Sequence, residues 1–338
     1  MPADRILRRI CGTAALALFA ACGNEEGPMV KVSIPSGSSM RTATDSLARA
    51  GVIRFGPAFR VYASMRDRDR GIKAGTYMLH KSSSWDSVLE SLHAGRGILR
   101  VVTIPEGFSL VQIEPLVAAR LSQPIDSVRV ATHDSALLAR LDIPTNTLEG
   151  YLFPDTYIFS AGTTARTAVA TMVKRFEQVW KIEWNARLDS LHLSRNDVMS
   201  LAAIVEKEAR LAPERPVIAA VYLNRLRRGM LLQADPTVQY ALGKHVTRVY
   251  YKDLDVDSPF NTYKYKGLPP GPIASPGQPS IEAALYPAVV PYQYFVAYPD
   301  GHHEFRVDLK GHERAKTEAR KAWNALEALR RGDSARGK

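Results

Sequence analysis

The sequence predicts an α+β protein in which a small α+β module precedes a larger mixed α+β domain with a cleft. Strand patterns and helical patterns alternate in the first third of the chain, helical periodicity dominates the middle, and an alternating hairpin pattern returns near the C-terminus. The chain has 338 residues, of which 46% are hydrophobic and 23% are charged. It is therefore long enough to bury a substantial core, and its composition is that of a globular protein.

The first segment, MPADRILRRICGTAALALFAACGNEEG, has the layout of a secretory signal. A basic start is followed by a largely apolar run of 13 residues from Ile10 to Cys22 and then by a polar stretch. The run is short for a membrane-spanning helix. Ala20 and Ala21 before Cys22 resemble the lipobox of bacterial lipoproteins, whose chain is cut before an acylated cysteine, although Phe19 stands where leucine is usual. An uncleaved signal anchor is the alternative.

Both alternatives place the rest of the chain outside the cytoplasmic membrane and hold it there by its N-terminus. We predict a lipoprotein-type signal peptide over residues 1–21, a lipid anchor at Cys22 and a tether over residues 22–30. Cys11 and Cys22 are the two cysteines of the chain. Cleavage before Cys22 leaves a single cysteine, so we expect no intramolecular disulfide.

The module is predicted over residues 31–101 because a strand pattern followed by a helical pattern occurs twice. Pro35 and Gly37 break the first strand, Ser84 is the expected N-cap of the second helix, and Gly95 is its expected end. The apolar residues that define these strands and helices are Val30, Val32, Ile34, Ala43, Leu47, Ala48, Val52, Tyr77, Leu79, Trp85, Val88, Leu89 and Leu92.

An internal echo marks the start of the larger domain. VSIPSGSS (32–39) returns as VTIPEGFS (102–109), a strand that ends in Ile-Pro-x-Gly-x-Ser ahead of a helix. A common strand-to-helix turn and a true duplication both explain the echo. We predict the main domain over residues 102–332, followed by a polar tail over residues 333–338.

Helical patterns come first in the main domain. They cover Leu110 to Leu121, Asp134 to Leu141, Ala165 to Trp180, Val198 to Ala212 and Arg215 to Arg228.

A long section from Met230 to Pro279 then reads as irregular, and its apolar residues predict that it is ordered and lines a cleft. A helix capped by Ser280, a β-hairpin around Asp300-Gly301 and an amphipathic helix from His312 to Arg331 complete the domain.

Two glutamates stand in the apolar helix VMSLAAIVEKEARLA (198–212). Glu206 lies at the margin of the apolar stripe, whereas Glu208 lies roughly 200° further round, so they cannot form one catalytic pair. Ala202 and Ala203 lie one turn before Glu206 and leave space over its carboxyl for a ligand, and partial burial would raise the pKa of that carboxyl. An ion pair with Arg210 is the alternative for Glu206. Glu208 is assigned to structure.

Several function classes are disfavoured. The net charge of +11 suits an anionic partner, but no basic cluster is interleaved with aromatic residues, and we predict no nucleic-acid partner. His302 and His303 are adjacent on a strand and point to opposite faces, so we predict no metal site. No nucleophile elbow, phosphate loop or dinucleotide fingerprint occurs, and we predict no cofactor.

Four blocks of the sequence resemble the endolytic murein transglycosylase family of bacteria, which cleaves peptidoglycan glycan strands. They are LEGYLFPDTY (148–157), LAAIVEKEA with the following ERPVIAAVYLNRLRRGMLLQADPTVQYALG, SPFNTYKYKGLPPGPIASPG (258–277) and YFVAYPDGHHEF (294–305). The N-terminal module is similar to the LysM-like region of the family. That family normally carries a transmembrane helix, whereas this chain has a lipoprotein-type signal.

The resemblance implies a single catalytic carboxyl, and the family's catalytic glutamate falls on Glu206. A lytic transglycosylase needs one acid/base because the substrate supplies its own nucleophile, whereas an ordinary glycosidase needs two carboxyl groups. The family's reaction cuts the bond between N-acetylmuramic acid and N-acetylglucosamine and leaves a 1,6-anhydro end. The family is thought to terminate strand growth, which implies peptidoglycan synthases as partners.

Further site residues are predicted around this carboxyl. Gln233, Asp235 and Thr237 could bind sugar hydroxyls and acetamides, although Asp235 with Pro236 also suits a turn and Thr237 a helix cap. Asn261 and Tyr263 are also expected to contact the substrate, with loop scaffolding as the alternative. Glu149 and Tyr151 are expected either to line the cleft as substrate contacts or to orient Glu206.

Two rival functions stay open. A muramidase that uses water would need a second carboxylate near Glu206, for which Glu149, Asp235 and Asp253 are candidates. A non-catalytic wall-binding anchor would place the function in the LysM-like module. The expected partners are peptidoglycan strands and the membrane, with the catalytic domain on the extracytoplasmic, periplasmic side.

Overall fold

The computed structural model of the chain describes residues 27–243 and 249–336. The predicted signal peptide, Cys22 and the first residues of the tether lie outside this range. The fold is α+β, as the sequence predicts, with helices joined by small two-stranded sheets. None of the helices in the described part is both long and apolar enough to cross a bilayer.

The chain forms two compact units. The first ends at Val102 and also includes Tyr157–Thr164, and the second comprises Thr103–Thr156 and the chain from Ala165 onward. The return of residues 157–164 to the first unit is not visible in the sequence, because it depends on the pairing of strand β4, Thr156–Ser160, with strand β3, Leu99–Thr103.

The first unit contains β1 Met29–Ile34, α1 Met40–Arg49, α2 Gly56–Met65, β2 Gly75–His80 and α3 Trp85–Ala94, together with β3 and β4 except for their end residues Thr103 and Thr156. It is built on the antiparallel pair of β1 and β2, with Val32 opposite Tyr77. Ser84 caps α3 and Gly95 ends it with a left-handed φ of +76°, as predicted. Helix α2 was not predicted, because its opening Gly56-Pro57 reads as a turn although proline suits the first turn of a helix. The likeness to a LysM module stays a prediction.

The second unit is mainly helical. The helices that precede Met230 are α4 Leu110–Leu121, α5 Ile125–Thr132, α6 Ser135–Arg140, α7 Ala165–Val179, α8 Glu183–Leu191, α9 Arg195–Glu208 and α10 Arg215–Arg227. Helices α4, α6, α7 and α10 lie within one residue of the predicted bounds at each end. Helices α5 and α8 were not predicted because each is short and buries few apolar side chains, Val128 and Ala131 in α5 and Trp184 in α8.

Helix α9 is the central helix of this unit. Ser194 and Asp197 form a capping box at its start. Every residue from Val198 to Val205 is buried, and the helix packs against α10 and against α12, Gln278–Leu285. The helix ends at Glu208, four residues before the predicted end, and its last turn therefore carries both glutamates.

In the section from Met230 to Pro279, the structure describes residues 230–243 and 249–279, and these are not wholly irregular. It contains the helix α11, Asp235–Ala241, and the 3₁₀ turn Tyr251–Asp255. The prediction missed α11 because Asp235-Pro236 reads as a turn, whereas Pro236 occupies the first turn of the helix. Gly277, and not Ser280, is the N-cap of α12.

The C-terminal part pairs a hairpin with a long helix. Strands β5, Tyr294–Ala297, and β6, His303–Arg306, are antiparallel, as predicted. Helix α13, Leu309–Arg336, begins three residues before its predicted start and packs on both strands. Ala315 and Ala319 are buried on its inner face.

Candidate active site

The two glutamates of α9 lie in different surroundings. Glu206 Oε2 accepts hydrogen bonds from the Gly277 N–H (3.0 Å) and from Ser280 Oγ (2.7 Å). Arg215 Nη2 lies 3.8 Å from Glu206 Oε1, and only 8% of the Glu206 side chain is exposed. The space that the small alanines were expected to leave for a ligand is therefore closed by the start of α12 and by Arg215.

A second carboxyl group adjoins this closed side. Burial raises the pKa of Glu106, the nearby Glu206 carboxylate raises it further, and Arg215 opposes both effects. The Glu106 carboxyl packs so closely against Gly277 that a Cβ there would lie 2.0 Å from Glu106 Oε1. A side chain at position 277 would therefore have to displace the flexible end of the Glu106 side chain.

Glu208 ends α9 in a different environment. Tyr222 Oη donates a hydrogen bond of 2.9 Å to Glu208 Oε1. Burial raises the pKa of Glu208 to about 7, the Tyr222 bond and Arg225 oppose this rise, and Asp235 adds to it. A carboxyl group with a pKa near 7 is protonated often enough at neutral pH to act as a general acid.

Glu208 also lines a cavity. The cavity has a volume of about 310 Å³ and opens between α9, α10, the segment before α11 and the hairpin with α13. Three predicted substrate residues, Gln233, Asp235 and Tyr263, share its wall with Glu208. The structure thus brings these three side chains together with Glu208 and not with Glu206.

Gln233 and Asp235 are placed by the backbone that leads into α11. Gln233 has a φ of +50°, which is uncommon for a residue with a side chain and is often associated with functional sites. Its N–H donates to the Thr262 carbonyl (3.1 Å), while its side chain stays exposed. Tyr263 Oη donates a 2.6 Å hydrogen bond to Asp235 Oδ1.

Thr237 and Asn261 have internal roles in place of the predicted sugar contacts. Both residues are fully buried. Thr237 Oγ1 lies 2.8 Å from Thr262 Oγ1 and donates to the Ala234 carbonyl. Asn261 Nδ2 donates to two backbone carbonyls of its own loop. These side chains fix the loop that presents Gln233.

Glu149 and Tyr151 are also buried. Glu149 accepts hydrogen bonds from the Leu110 N–H (3.1 Å) and from Tyr240 Oη (3.3 Å), and burial raises its pKa to about 8. Tyr151 is fully buried and donates to Asn196 Oδ1 (3.3 Å). Both residues therefore support α4 and α9 from inside the core and do not contact the cavity.

Two of the cavity residues that the sequence analysis did not predict lie on one helix. Tyr222 and Arg225 lie one turn apart on α10, and both face Glu208 and the cavity. The sequence does carry a signal, since an arginine in the apolar helix VIAAVYLNRL is unusual unless it has buried partners. Arg225 donates to the carbonyls of Gln293 (2.6 Å) and Leu232 (2.7 Å).

The adjacent histidines of the hairpin bind different carboxylates. His302 Nδ1 pairs with Asp300, while the buried His303 Nδ1 lies 2.7 Å from Glu214 Oε2. In the part of the chain that the structure describes, no three histidine, cysteine or acidic side chains lie close enough to hold a metal ion.

Comparisons with known proteins agree on one family. The YceG-like family matches residues 32–318. The endolytic murein transglycosylase of Bacillus subtilis (strain 168) is 37% identical over 306 residues, which cover 85% of this chain and 84% of that protein. The protein of the same name from Streptococcus pneumoniae (strain R6) is 32% identical over 300 residues, and the match spans about half, 54%, of its length.

A solved structure is similar over nearly its whole length. The crystal structure of a yceG-like protein from Listeria monocytogenes superposes with a TM-score of 0.61 at 34% sequence identity. The match covers 85% of this chain and 98% of the Listeria chain.

Proposed function

The chain belongs to the YceG-like family, and from that premise we propose that it is an endolytic peptidoglycan lytic transglycosylase. It cuts the bond between N-acetylmuramic acid and N-acetylglucosamine inside nascent glycan strands and leaves 1,6-anhydro ends, which terminates strand elongation. The relatives named endolytic murein transglycosylase support this function. The single observation that carries it is a half-buried carboxyl, Glu208, with a pKa of about 7 on the wall of a cavity.

We propose Glu208 as the general acid in place of Glu206. An acid in this reaction must reach the glycosidic oxygen and must hold a proton at neutral pH. Glu208 lines the cavity, whereas Glu206 is occupied by Gly277, Ser280 and Arg215. The sequence-based assignment to Glu206 stays a prediction, and one pair of variants tests both residues.

The reaction needs one carboxyl in two successive roles. Protonated Glu208 donates its proton to the glycosidic oxygen as the bond from that oxygen to C1 of N-acetylmuramic acid breaks. The N-acetylglucosamine portion leaves as an alcohol, and positive charge develops at C1. The C6 hydroxyl of the same muramoyl residue then bonds to C1 and gives its proton to the Glu208 carboxylate. Atoms balance without water, and the acid is restored.

Neighbouring groups support both halves of this cycle. Tyr222 and Arg225 stabilise the carboxylate form of Glu208, whereas burial stabilises the acid form, and the balance places the pKa near 7. Gln233 offers an exposed amide at the cavity, suited to sugar hydroxyls and acetamide groups. Tyr263 offers an aromatic face on which a sugar ring can stack.

A muramidase reaction is the alternative that one observation favours. Asp235 shares the cavity with Glu208 and could activate a water molecule, as in glycosidases with two carboxyl groups. In this structure Asp235 accepts a hydrogen bond from Tyr263, which suits a residue that orients a ring. Product mass separates the two reactions, because an anhydro end is lighter than a reducing end by one water.

The deciding experiment compares wild type with Glu208→Gln and Glu206→Gln on purified glycan strands, with products read by mass. Our proposal expects anhydro ends from wild type, almost none from Glu208→Gln, and substantial product from Glu206→Gln. Inactivity of Glu206→Gln alone would return the acid role to Glu206. Reducing ends would indicate a muramidase, and an inactive wild type that binds strands would indicate a non-catalytic anchor.

We also propose that the enzyme acts on the extracytoplasmic side of a membrane, anchored by a lipid at Cys22, and that it works beside peptidoglycan synthases. The signal-like residues before Cys22 support the anchor. Metabolic labelling with a clickable fatty acid tests it. Label on the wild type but not on Cys22→Ala supports the lipid, whereas unlabelled protein that stays in the membrane points to an uncleaved signal anchor.

A further inference from the structure

The charged groups of the Glu208 cavity lie on different elements. Glu208 and Asp235 come from the end of α9 and the start of α11. Two basic side chains, Arg225 of α10 and Lys316 of α13, line the same cavity. A bound sugar would therefore meet acidic groups and basic groups at the same time.

Arg225 supplies a fixed positive charge. Its guanidinium donates to backbone carbonyls and lies over the ring of Tyr294, 5.1 Å from the centroid. Its residue exposure is 8%, and its described hydrogen bonds go to neutral acceptors, including Gln233 Oε1 at 3.5 Å. In the described part of the chain no carboxylate forms an ion pair with Arg225, although its charge also stabilises the Glu208 carboxylate. This charge favours an anion in the cavity.

Lys316 supplies a movable positive charge. Its side chain is 45% exposed, and its Nζ lies 3.0 and 3.3 Å from the two carboxylate oxygens of Glu313, one turn earlier. An exposed pair of this kind contributes little free energy, because water screens it and two flexible side chains must be held. A ligand carboxylate can therefore compete with Glu313 for Lys316.

His312 lies one turn before Lys316 on the same face of α13. It lines the cavity and stacks on Tyr294, with the two ring centroids 5.1 Å apart. Its Nδ1 is buried and has no hydrogen-bond partner in the described part of the chain. Burial lowers the pKa of His312. At neutral pH the ring is therefore uncharged, and its unpaired Nδ1 can form a hydrogen bond with a ligand.

Resting on the function proposed above, we propose that Lys316, with Arg225 and His312 beside it, forms a carboxylate-recognition site for the acidic substituent of the muramoyl residue at the bond that is cut. That residue places its C1 at Glu208 and carries a lactyl ether at C3. The ether ends in a carboxylate in peptide-free strands and continues into a peptide with its own carboxylates in substituted strands. Both sources present the same chemical group to α13.

The test measures kcat/KM of the full chain on glycan strands with free carboxylates and on the same strands after conversion of the carboxylates to amides. Lys316→Gln should lower kcat/KM on the acidic strands by about fivefold, the size of a partly exposed ion pair. It should leave kcat/KM on the amidated strands unchanged. Glu313→Gln should act in the opposite direction, because it frees Lys316 and removes a competing carboxylate.

Lys310→Gln is the matched control. Lys310 is exposed on the same helix but lines a different surface from Lys316. This variant removes the same charge from the chain and should cleave both kinds of strand like wild type. If Lys310→Gln and Lys316→Gln slow the acidic strands equally, the effect belongs to net charge and the recognition site is refuted.

Two further outcomes keep this inference separate from the proposed function. An equal loss on acidic and amidated strands for Lys316→Gln would overturn the recognition site while cleavage by wild type upholds the transglycosylase. No cleavage by wild type would overturn the transglycosylase itself. Strands stripped of peptides by an amidase identify the source: a persistent Lys316 effect assigns the lactyl carboxylate, and a Lys316 effect confined to peptide-bearing strands assigns the peptide.

Discussion

The two sides of the last turn of α9 differ in how much of their polar chemistry is already used. On one side, Glu206 accepts from Gly277 and Ser280 and faces Arg215. On the other side, Glu208 accepts from Tyr222 and faces a cavity of about 310 Å³. The comparison shows that a carboxylate satisfied by the protein stabilises the fold, whereas a carboxyl beside open space is available to a substrate.

Replacement of the acid should give the largest difference between the two sides. Glu208→Gln keeps the size of the side chain and can still accept from Tyr222, but it cannot donate a proton from a carboxyl. We expect release of anhydro ends to fall by about 10²–10⁴-fold, the usual contribution of a general acid. Quantitative mass spectrometry of the products measures this loss. An unchanged thermal midpoint would show that the fold is intact.

The equivalent change on the other side should affect stability first. Glu206→Gln weakens the acceptor for Gly277 and Ser280 and removes the carboxylate charge that faces Arg215. We expect the free energy of unfolding to drop by about 1–3 kcal/mol, the range for a disrupted buried polar interaction. Urea denaturation followed by circular dichroism measures it. The comparison fails if this variant keeps wild-type stability and loses its activity.

The pH dependence of catalysis sharpens the account of Glu208. Because the acid form is required and the pKa is about 7, kcat should decline as the pH rises above about 7. Tyr222→Phe removes a hydrogen bond that favours the carboxylate, so the pKa should rise and the alkaline limb should move to higher pH. A rate profile from pH 5 to pH 9 tests the direction. Movement to lower pH would contradict it.

Replacement of Glu149 should have the smallest effect on activity, but it should change how the stability of the fold depends on pH. Its pKa is about 8 in the folded chain, against an ordinary value of 4.5. Between these values the folded state keeps a proton that the unfolded state has lost, so the free energy of unfolding decreases as pH rises from about 4.5 to 8. Glu149→Gln should remove most of this decrease, which in the wild type is on the order of a few kcal/mol across the pH range.

Denaturation midpoints at pH 5 and pH 8 measure the slope for wild type and Glu149→Gln. Glu208→Gln is the comparison variant, because Glu208 also has a raised pKa and should contribute a slope of the same sign over a narrower pH range. If Glu149→Gln keeps the wild-type slope, the buried carboxyl of Glu149 is not protonated at neutral pH.

Much of the fold follows from periodicity. Helices α4, α7 and α10 were predicted because their apolar residues recur at helical spacing over at least three turns. The missed helices α2 and α11 begin with Gly56-Pro57 and Asp235-Pro236. Each of these dipeptides is compatible both with a turn and with the start of a helix, so the sequence pattern does not choose between them. The site was harder to predict, because the burial of Thr237, Asn261, Glu149 and Tyr151 depends on distant segments.

The sequence by itself determined the family, the α+β class and the placement of Glu206 and Glu208 on different sides of one helix. These features are local, since they depend on motifs and on helical geometry. Only the tertiary structure decided which glutamate meets a cavity. Ser280, about 70 residues further along the chain, closes one side, whereas Tyr222 and Tyr263 leave space on the other. A helix fixes the directions of its side chains, but the segments packed around it fix what those side chains face.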